Sequence, residues 1–397
     1  MGPLKGIKVV ELAQIMAGPT CGMLLADMGA DVIKVEKLPG GDDTRSYSEP
    51  QVNGESAAFM ILNRNKRGIA VNLKKPGGLE VVKKLLSTAD VVTENYRKGT
   101  LDKLGLGWDV LHELNPRLVY CAISGYGRTG PYADKGGFDL IAQGVAGLMS
   151  VTGEPGGPPV KSGTPIADIN AGIFASLGIV SALFARNTTG RGQMVDTSLM
   201  EAGVQQMYWQ AAIHFATGAN PGPSGSAHIL TAPYQAFPTA DGWINLGGAN
   251  QSNWERIVRA IGMPELAADE RFRNNTERMR NLKALVPILG DALKKKPSAH
   301  WISVFEAEGV PVGPVNKTSD MVSDPQVKAR EMVIEVEHPK AGRVKAIGHP
   351  VKFSETKVEA SRPAPLLGQH TREVLKDLGY DDARIDALAQ EGAVQCA

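Results

Sequence analysis

The chain has 397 residues, 43% of them apolar and 21% charged, with 43 Lys and Arg against 42 Asp and Glu for a net charge of +1. That length can fill one large domain or two, and the apolar share is ordinary for a globular protein. Near-neutrality argues against a polyanion-binding surface, so no nucleic-acid partner is expected.

Cys21, Cys121 and Cys396 show no paired spacing and fit a reducing compartment. The sequence opens with no signal peptide or myristoylation pattern, and no apolar run reaches the roughly 18 residues of a membrane span. A soluble, cytoplasmic protein without membrane attachment is expected.

In chain order, Lys8–Leu12 is predicted as a strand. Ala17-Gly18-Pro19 puts proline at a first helical position, and the helix ends at Gly29. Asp31–Glu36 is the next strand, and such a β-α-β unit begins parallel, doubly wound sheets. Glu36 could bond a ribose as in a nicotinamide-dependent oxidoreductase, but the first turn lacks the G-x-G-x-x-G spacing. The turn Asn63–Gly68 carries three cations, Arg64, Lys66 and Arg67, which either face water or hold phosphate.

Beyond that turn, strands are predicted at 69–73, 89–94 and 118–124, with an amphipathic helix at 77–87. Asn95–Gly99 lies at a strand's C-terminal end, where open α/β sheets bind ligands, and Lys103 follows on a short helix. Gly125–Gly130 spells G-x-G-x-x-G, yet Pro131 and Gly136-Gly137 interrupt the helix a nucleotide site needs next. A helix is expected from near Asp139. The run 153–159, rich in Gly and Pro, can be neither helix nor central strand.

Asp168 stands between that run and an apolar helix predicted over Ala171–Ala185, near a helix N-terminus that favours an anion. It is either the N-cap or a functional carboxylate. A strand follows at 193–197, and the Gly/Pro/Ser-rich segment Thr217–Ser226 marks a domain boundary. Strands at 234–238 and 243–246 and three helices then form a compact segment, before an extended connector at 309–315 and a last helix at 371–378.

The seven histidines are scattered, none paired at helical spacing, so no metal is expected. Neither a G-x-S-x-G elbow nor a Walker A is present. Basic segments at 63–66 and 96–103 plus a carboxylate at a helix start suit acyl transfer from a phosphorylated carrier. A positioned, desolvated carboxylate can attack a thioester to give a mixed anhydride. Backbone N–H groups of the turn Leu246–Ala249 could close over such a site.

The chain resembles the family III coenzyme A-transferases, the group of formyl-CoA transferase and carnitine CoA-transferase, essentially end to end. The matching pieces are Ala17-Gly-Pro with Leu24–Glu36, Gly41–Arg45, Asn63–Gly68, Glu94–Gly99, Ser124–Gly127, Phe138-Asp139, Asp168 and Gly190–Gln193. The resemblance implies that Asp168 is the nucleophile. It implies that Met16, Ala17, Lys37, Val71, Asn72, Leu73, Lys74, Asn95, Tyr96, Arg97 and Lys103 line a coenzyme A site, Lys37 and Lys103 facing phosphates. It places Tyr47, Phe138, Asp139, Gly247 and Gly248 about the acyl pocket, although Asn250 stands where some members continue with glycine.

It further implies an α/β fold with a Rossmann-like large domain built from residues 1–216 and 330–397, and a smaller α+β domain at 227–325. The oligomer implied is an interlocked homodimer. The substrates would be an acyl-CoA, succinyl-CoA or similar, and a small carboxylic acid, with coenzyme A as a substrate moiety and no tightly bound cofactor. Arg45 or Arg128 could hold a second carboxylate. A 2-methylacyl-CoA racemase on this fold needs two acid/base groups. Its Gly-His-Asp segment is here Phe138-Asp139, and phenylalanine carries no proton.

Overall fold

Short strands rich in Val and Ile alternate with helices through the first 200 residues, which is the pattern of a parallel sheet covered on both faces. The computed structural model describes residues 2–397 and divides into two units. The first comprises Met1–Met149, Lys161–Gly218 and Gln326–Ala397; the second comprises Ser150–Val160 and Ala219–Pro325. The Gly/Pro-rich stretch, expected in the first unit, groups with the second, where the Gly225 N–H donates to the Gly153 carbonyl at 2.8 Å.

At the centre of the first unit stand β1 (Lys8–Leu12), β2 (Asp31–Lys37), β3 (Arg67–Val71), β4 (Val91–Glu94), β5 (Val119–Ser124) and β6 (Met194–Ser198). They pair in the order β3-β2-β1-β4-β5-β6, all parallel. Val394–Gln395 adds a seventh, antiparallel strand beside β3, with Val394 opposite Val71 and Gln395 opposite Ala70. The sheet is thus mixed but mostly parallel.

Successive side chains leave opposite faces of each strand. Val10, Ile33, Ile69, Val92 and Tyr120 meet α2 (Pro76–Ser87) on one face. On the other, Val9, Val32, Val91, Val119 and Cys121 meet α1 (Ala17–Asp27) and α4 (Ile166–Thr189), with α3 (Asp139–Val145) standing before α4 in the chain. Burial pushes the Cys21 thiol up to about 12 and the Cys121 thiol well above its ordinary value, so both are inert packing groups.

Helix α4 starts five residues before the predicted Ala171 and runs to Thr189, closed by Gly190 at φ +69°. Against expectation, it is long and apolar enough to cross a membrane by length and composition alone. A core helix passes the same test. Its inner face packs on α1, whereas Ile173, Leu177 and Phe184 face outward with Phe184 77% exposed.

The second unit pairs β7 (Tyr234–Pro238), β8 (Trp243–Gly247) and β9 (Val312–Pro314) antiparallel, in the order β9-β8-β7. Its own core gathers Phe237, Ile244, Trp254, Phe272, Leu289 and Phe305.

Candidate active site

Strand β1 has β2 on one side and β4 on the other, so the chain's crossovers leave in opposite directions there and the loops part to open a crevice. Two of these loops are tied across it. The Gln14 N–H donates to Asn95 Oδ1 at 3.0 Å, and Asn95 Nδ2 donates to the Gln14 carbonyl at 2.8 Å. A cavity of about 360 Å³ opens beside this clamp, and Asp168 stands in its wall together with Met16, Ala17, Asn95, Tyr96, Arg97 and Phe138. Ala17 begins α1, and neither its N–H nor that of Gly18 has an acceptor among the described residues, as first-turn donors of a helix do not within the helix.

Asp168 is the third residue of α4, not its cap; Pro165 holds that position and supplies no side-chain acceptor. Asp139 does the capping from α3: its Oδ1 accepts the Ala167 N–H at 2.9 Å and the Asp168 N–H at 3.4 Å. Gln143 Nε2 donates to Asp139 Oδ2 at 2.7 Å, and Gln143 Oε1 accepts the Ser162 N–H at 2.8 Å. The Asp168 carboxyl is therefore released from helix duty, and no donor reaches its oxygens among the described residues. Burial, and then the neighbouring Asp139 charge, push it from 3.8 up to about 7.

One turn along the same face, Gly172 sets how closely α4 approaches α1. A Cβ there would lie 2.6 Å from the Ala17 carbonyl oxygen and 2.8 Å from Thr20 Cβ. A second glycine contact shapes the far wall: a Cβ on Gly125 would lie 2.7 Å from Gly137 Cα, so the loop before Phe138 presses on the end of β5. Gly125 and Gly137 thus serve backbone approach, while Gly127 and Gly130 turn the chain at φ +90° and +81°. No helix follows Gly130 directly, and the G-x-G-x-x-G spelling there has no nucleotide geometry.

The other expected coenzyme A residues lie outside the cavity wall. Val71, Asn72, Leu73 and Lys74 form the end of β3 and the turn after it, where Asn72 Oδ1 accepts the Lys74 N–H at 3.0 Å. Lys37 ends β2 and pairs with Asp43, itself a wall residue, and Lys103 is exposed on the short helix Thr100–Lys103 whose Thr100 lines the cavity. Tyr47 is 46% exposed and outside the wall. Gly247 and Gly248 belong to the second unit, and their N–H groups are already donated to the Pro311 and Pro233 carbonyls at 2.8 and 2.7 Å. Those two amides have no hydrogen left for a substrate.

The basic turn is corrected as well. Arg64 Nη2 lies 2.6 Å from Asp27 Oδ2, Lys66 Nζ lies 2.9 Å from Glu11 Oε2, and both cations are buried, so neither holds phosphate. Glu36 is buried against Arg45, with Nε–Oε2 at 2.6 Å and Nη2–Oε1 at 2.7 Å, which removes the ribose reading and commits Arg45. Arg128 is likewise committed, to Glu94. Ile15 and Lys135 are wall residues that no sequence signal marked, whereas Asp43 and Ser124 fell within matching segments without a role of their own. The pair Gly136-Gly137 was visible, but as a helix breaker rather than as a close-approach device. Among the described residues no group of three or more His, Cys, Asp or Glu could hold a metal ion.

An α/β protein with a carboxylate isolated at the switch-point crevice of a mostly parallel sheet has the parts of a covalent acyl carrier. A family model for CoA-transferase family III matches residues 4–371, and the chain belongs to that family. It is 40% identical over 396 residues to the succinyl-CoA:glutarate CoA-transferase of Mus musculus, covering 100% of this chain and 91% of that protein. It is also 40% identical over 382 residues to the succinate–glutarate CoA-transferase of Agrobacterium fabrum, covering 95% and 96%. The crystal structure of a CAIB/BAIF family protein from Brucella suis superposes with a TM-score of 0.85 at 39% identity, covering 95% of this chain and 99% of that one. The protein is a CoA-transferase using CoA thioesters as substrates.

Proposed function

We propose that this enzyme moves coenzyme A from succinyl-CoA to a small dicarboxylate such as glutarate, with Asp168 as the covalent carrier. The observation that carries the reading is the Asp168 carboxyl itself, half-buried in the cavity wall while Asp139 takes over the capping of its helix. The similarity to succinyl-CoA:glutarate CoA-transferases supports the choice of substrates.

In the first step an Asp168 oxygen attacks the thioester carbonyl, and the C–S bond breaks to give an acyl-aspartyl anhydride and the CoA thiolate. The thiolate attacks the Asp168 carbonyl, releasing the donor's carboxylate and leaving an aspartyl-CoA thioester. An acceptor carboxylate displaces the thiolate to form a second anhydride. The thiolate then attacks the acceptor's acyl carbon, giving the new acyl-CoA and regenerating Asp168. Each step exchanges one bond at a carbonyl carbon, and no proton is lost overall. The free Ala17 N–H, on the positive end of α1, would stabilise the oxyanion of these additions.

The long carrier extends from the cavity along the sheet's C-terminal end, where the turn after β3 and Lys37, Lys103 and Arg97 supply polar and cationic contacts. With Arg45 and Arg128 committed, Arg97 and Lys98 are wall cations without a carboxylate partner among the described residues. Incubation with succinyl-CoA and hydroxylamine, followed by peptide mass spectrometry, is expected to show a hydroxamate at Asp168. Steady turnover with Asp168 unmodified would sink the covalent route.

The interlocked homodimer belongs to the same proposal. Its support is the apolar surface left open on α4 by Ile173, Leu177 and Phe184, and on α5 (Tyr208–Thr217) by Tyr208, Trp209 and Phe215, the last 84% exposed. Sedimentation at micromolar concentration is expected to give twice the 42.2 kDa chain mass, and a monomer there would remove it.

A further inference from the structure

The part of the cavity wall formed by Gln14, Ile15 and Met16 rests on four charges that solvent does not reach. Lys34 Nζ lies 3.0 Å from Glu11 Oε1 and 2.8 Å from Asp42 Oδ2, Lys66 Nζ lies 2.9 Å from Glu11 Oε2, and all four side chains are 0% exposed. Three of them also grip the loop's backbone. Lys34 donates to the Ala13 carbonyl at 2.9 Å, Lys66 donates to the Pro19 carbonyl at 2.9 Å, and both Asp42 oxygens accept the Ile15 N–H at 3.2 Å. Asp42 is in turn fixed by the Thr44 N–H at 2.9 Å and the Thr44 hydroxyl at 2.7 Å.

Between these anchors Ile15 sits at φ +70°. A β-branched residue in the left-handed region is disfavoured by its own Cβ, so the conformation persists only where surroundings impose it. Buried ion pairs are weak evidence of stability, since well-packed apolar residues do as well. An apolar set, however, could not supply the donors and acceptors that Ala13, Ile15 and Pro19 use here.

We propose that Asp42, backed by Lys34, is a positioning residue that holds Ile15 in its left-handed conformation and thereby sets Met16 and Ala17 in the cavity wall for acyl transfer. The inference rests on the Asp168 reading given above. Strain in such a loop is released when its anchor is removed, and the wall then moves away from the reacting atoms.

The test is a double-substitution cycle on the intact enzyme, reading kcat, KM for the CoA ester and the urea midpoint. Asp42→Asn is expected to lower kcat about 30-fold in the parent. In the Ile15→Gly background the same change is expected to cost less than about 3-fold, because glycine adopts positive φ without a Cβ penalty. An equal loss in both backgrounds would show that Asp42 does not act through the Ile15 conformation and would overturn the proposal. Should Asp42→Asn fail to fold, Thr44→Val removes one donor to Asp42 and leaves every charge in place. It is expected to show the same background dependence at about 5-fold, and its absence overturns the proposal equally. Asp168→Ala run alongside separates the two ideas: full turnover in that variant defeats the covalent reading, whereas its loss together with an additive cycle defeats only the clamp.

Discussion

Asp168→Asn is expected to lose about four orders of magnitude or more in turnover and yet, at pH 8, to melt at a higher temperature than the parent. The first effect follows from removing the only group proposed to form the anhydride, since an amide oxygen is a poor nucleophile. The second follows from linkage. The carboxyl's folded pKa of about 7 lies above its ordinary 3.8, so the native protein holds this proton more tightly than the unfolded chain does. The stability linked to the protonated form is fully present below pH 3.8 and is lost as pH rises through 7. Asparagine mimics that neutral form at every pH. The difference in Tm between variant and parent should therefore be near zero at pH 4, grow between pH 4 and 7, and level off by pH 8. A Tm difference independent of pH would contradict the shift and its cause in burial. In the parent, kcat/KM for the donor should rise up to about 10-fold per pH unit below pH 7 and flatten above it, because only the ionised carboxylate attacks.

Gly172→Val is expected to lower kcat about 100-fold with a smaller change in KM. A Cβ at this position would lie 2.6 Å from a backbone oxygen of α1, and backbone cannot swing aside as a flexible side chain does. The helices must separate, and Asp168, one turn earlier on the same face, is carried off with α4. A displacement of about 1 Å at the reacting atoms costs on the order of 100-fold, while overpacking itself costs about 1–3 kcal/mol in stability. Urea unfolding beside steady-state kinetics checks both parts. An unaltered kcat accompanied by lost stability would mean that the approach of the two helices does not govern the nucleophile. Gly172→Ala should show the same pattern in milder form.

The parallel sheet was legible because β2, β3, β4 and β5 are buried on both faces and so read as short apolar runs between breakers. β1, β2, β4 and β5 lie within two residues of their predicted spans, and β3 is displaced by two, starting at Arg67 rather than Ile69. Asp168 was legible as a lone acid before an apolar helix. Its relation to Asp139 was not, since that partner is 29 residues away in sequence and reaches the helix start only through the fold. The three cations of Asn63–Gly68 misled for the same reason. A basic turn looks solvated until Glu11 and Asp27, on other elements, are brought under it. The Ile15 backbone left no trace at all, because nothing in an isoleucine announces positive φ. The coenzyme A positions came from resemblance, and of these the structure gathers Met16, Ala17 and Asn95–Arg97 around one cavity and spreads the rest along the sheet's rim.

The strand that covers β3 is drawn from residues 394 and 395, more than 300 positions after the segment it protects. During synthesis the ribosome must therefore deliver the whole of Ala219–Pro325 while that flank of the nascent sheet still lacks its neighbour. Bare strand flanks invite pairing with other chains. The interval between translating Val71 and Val394 is accordingly the period in which a holdase chaperone would matter most to the yield of this enzyme.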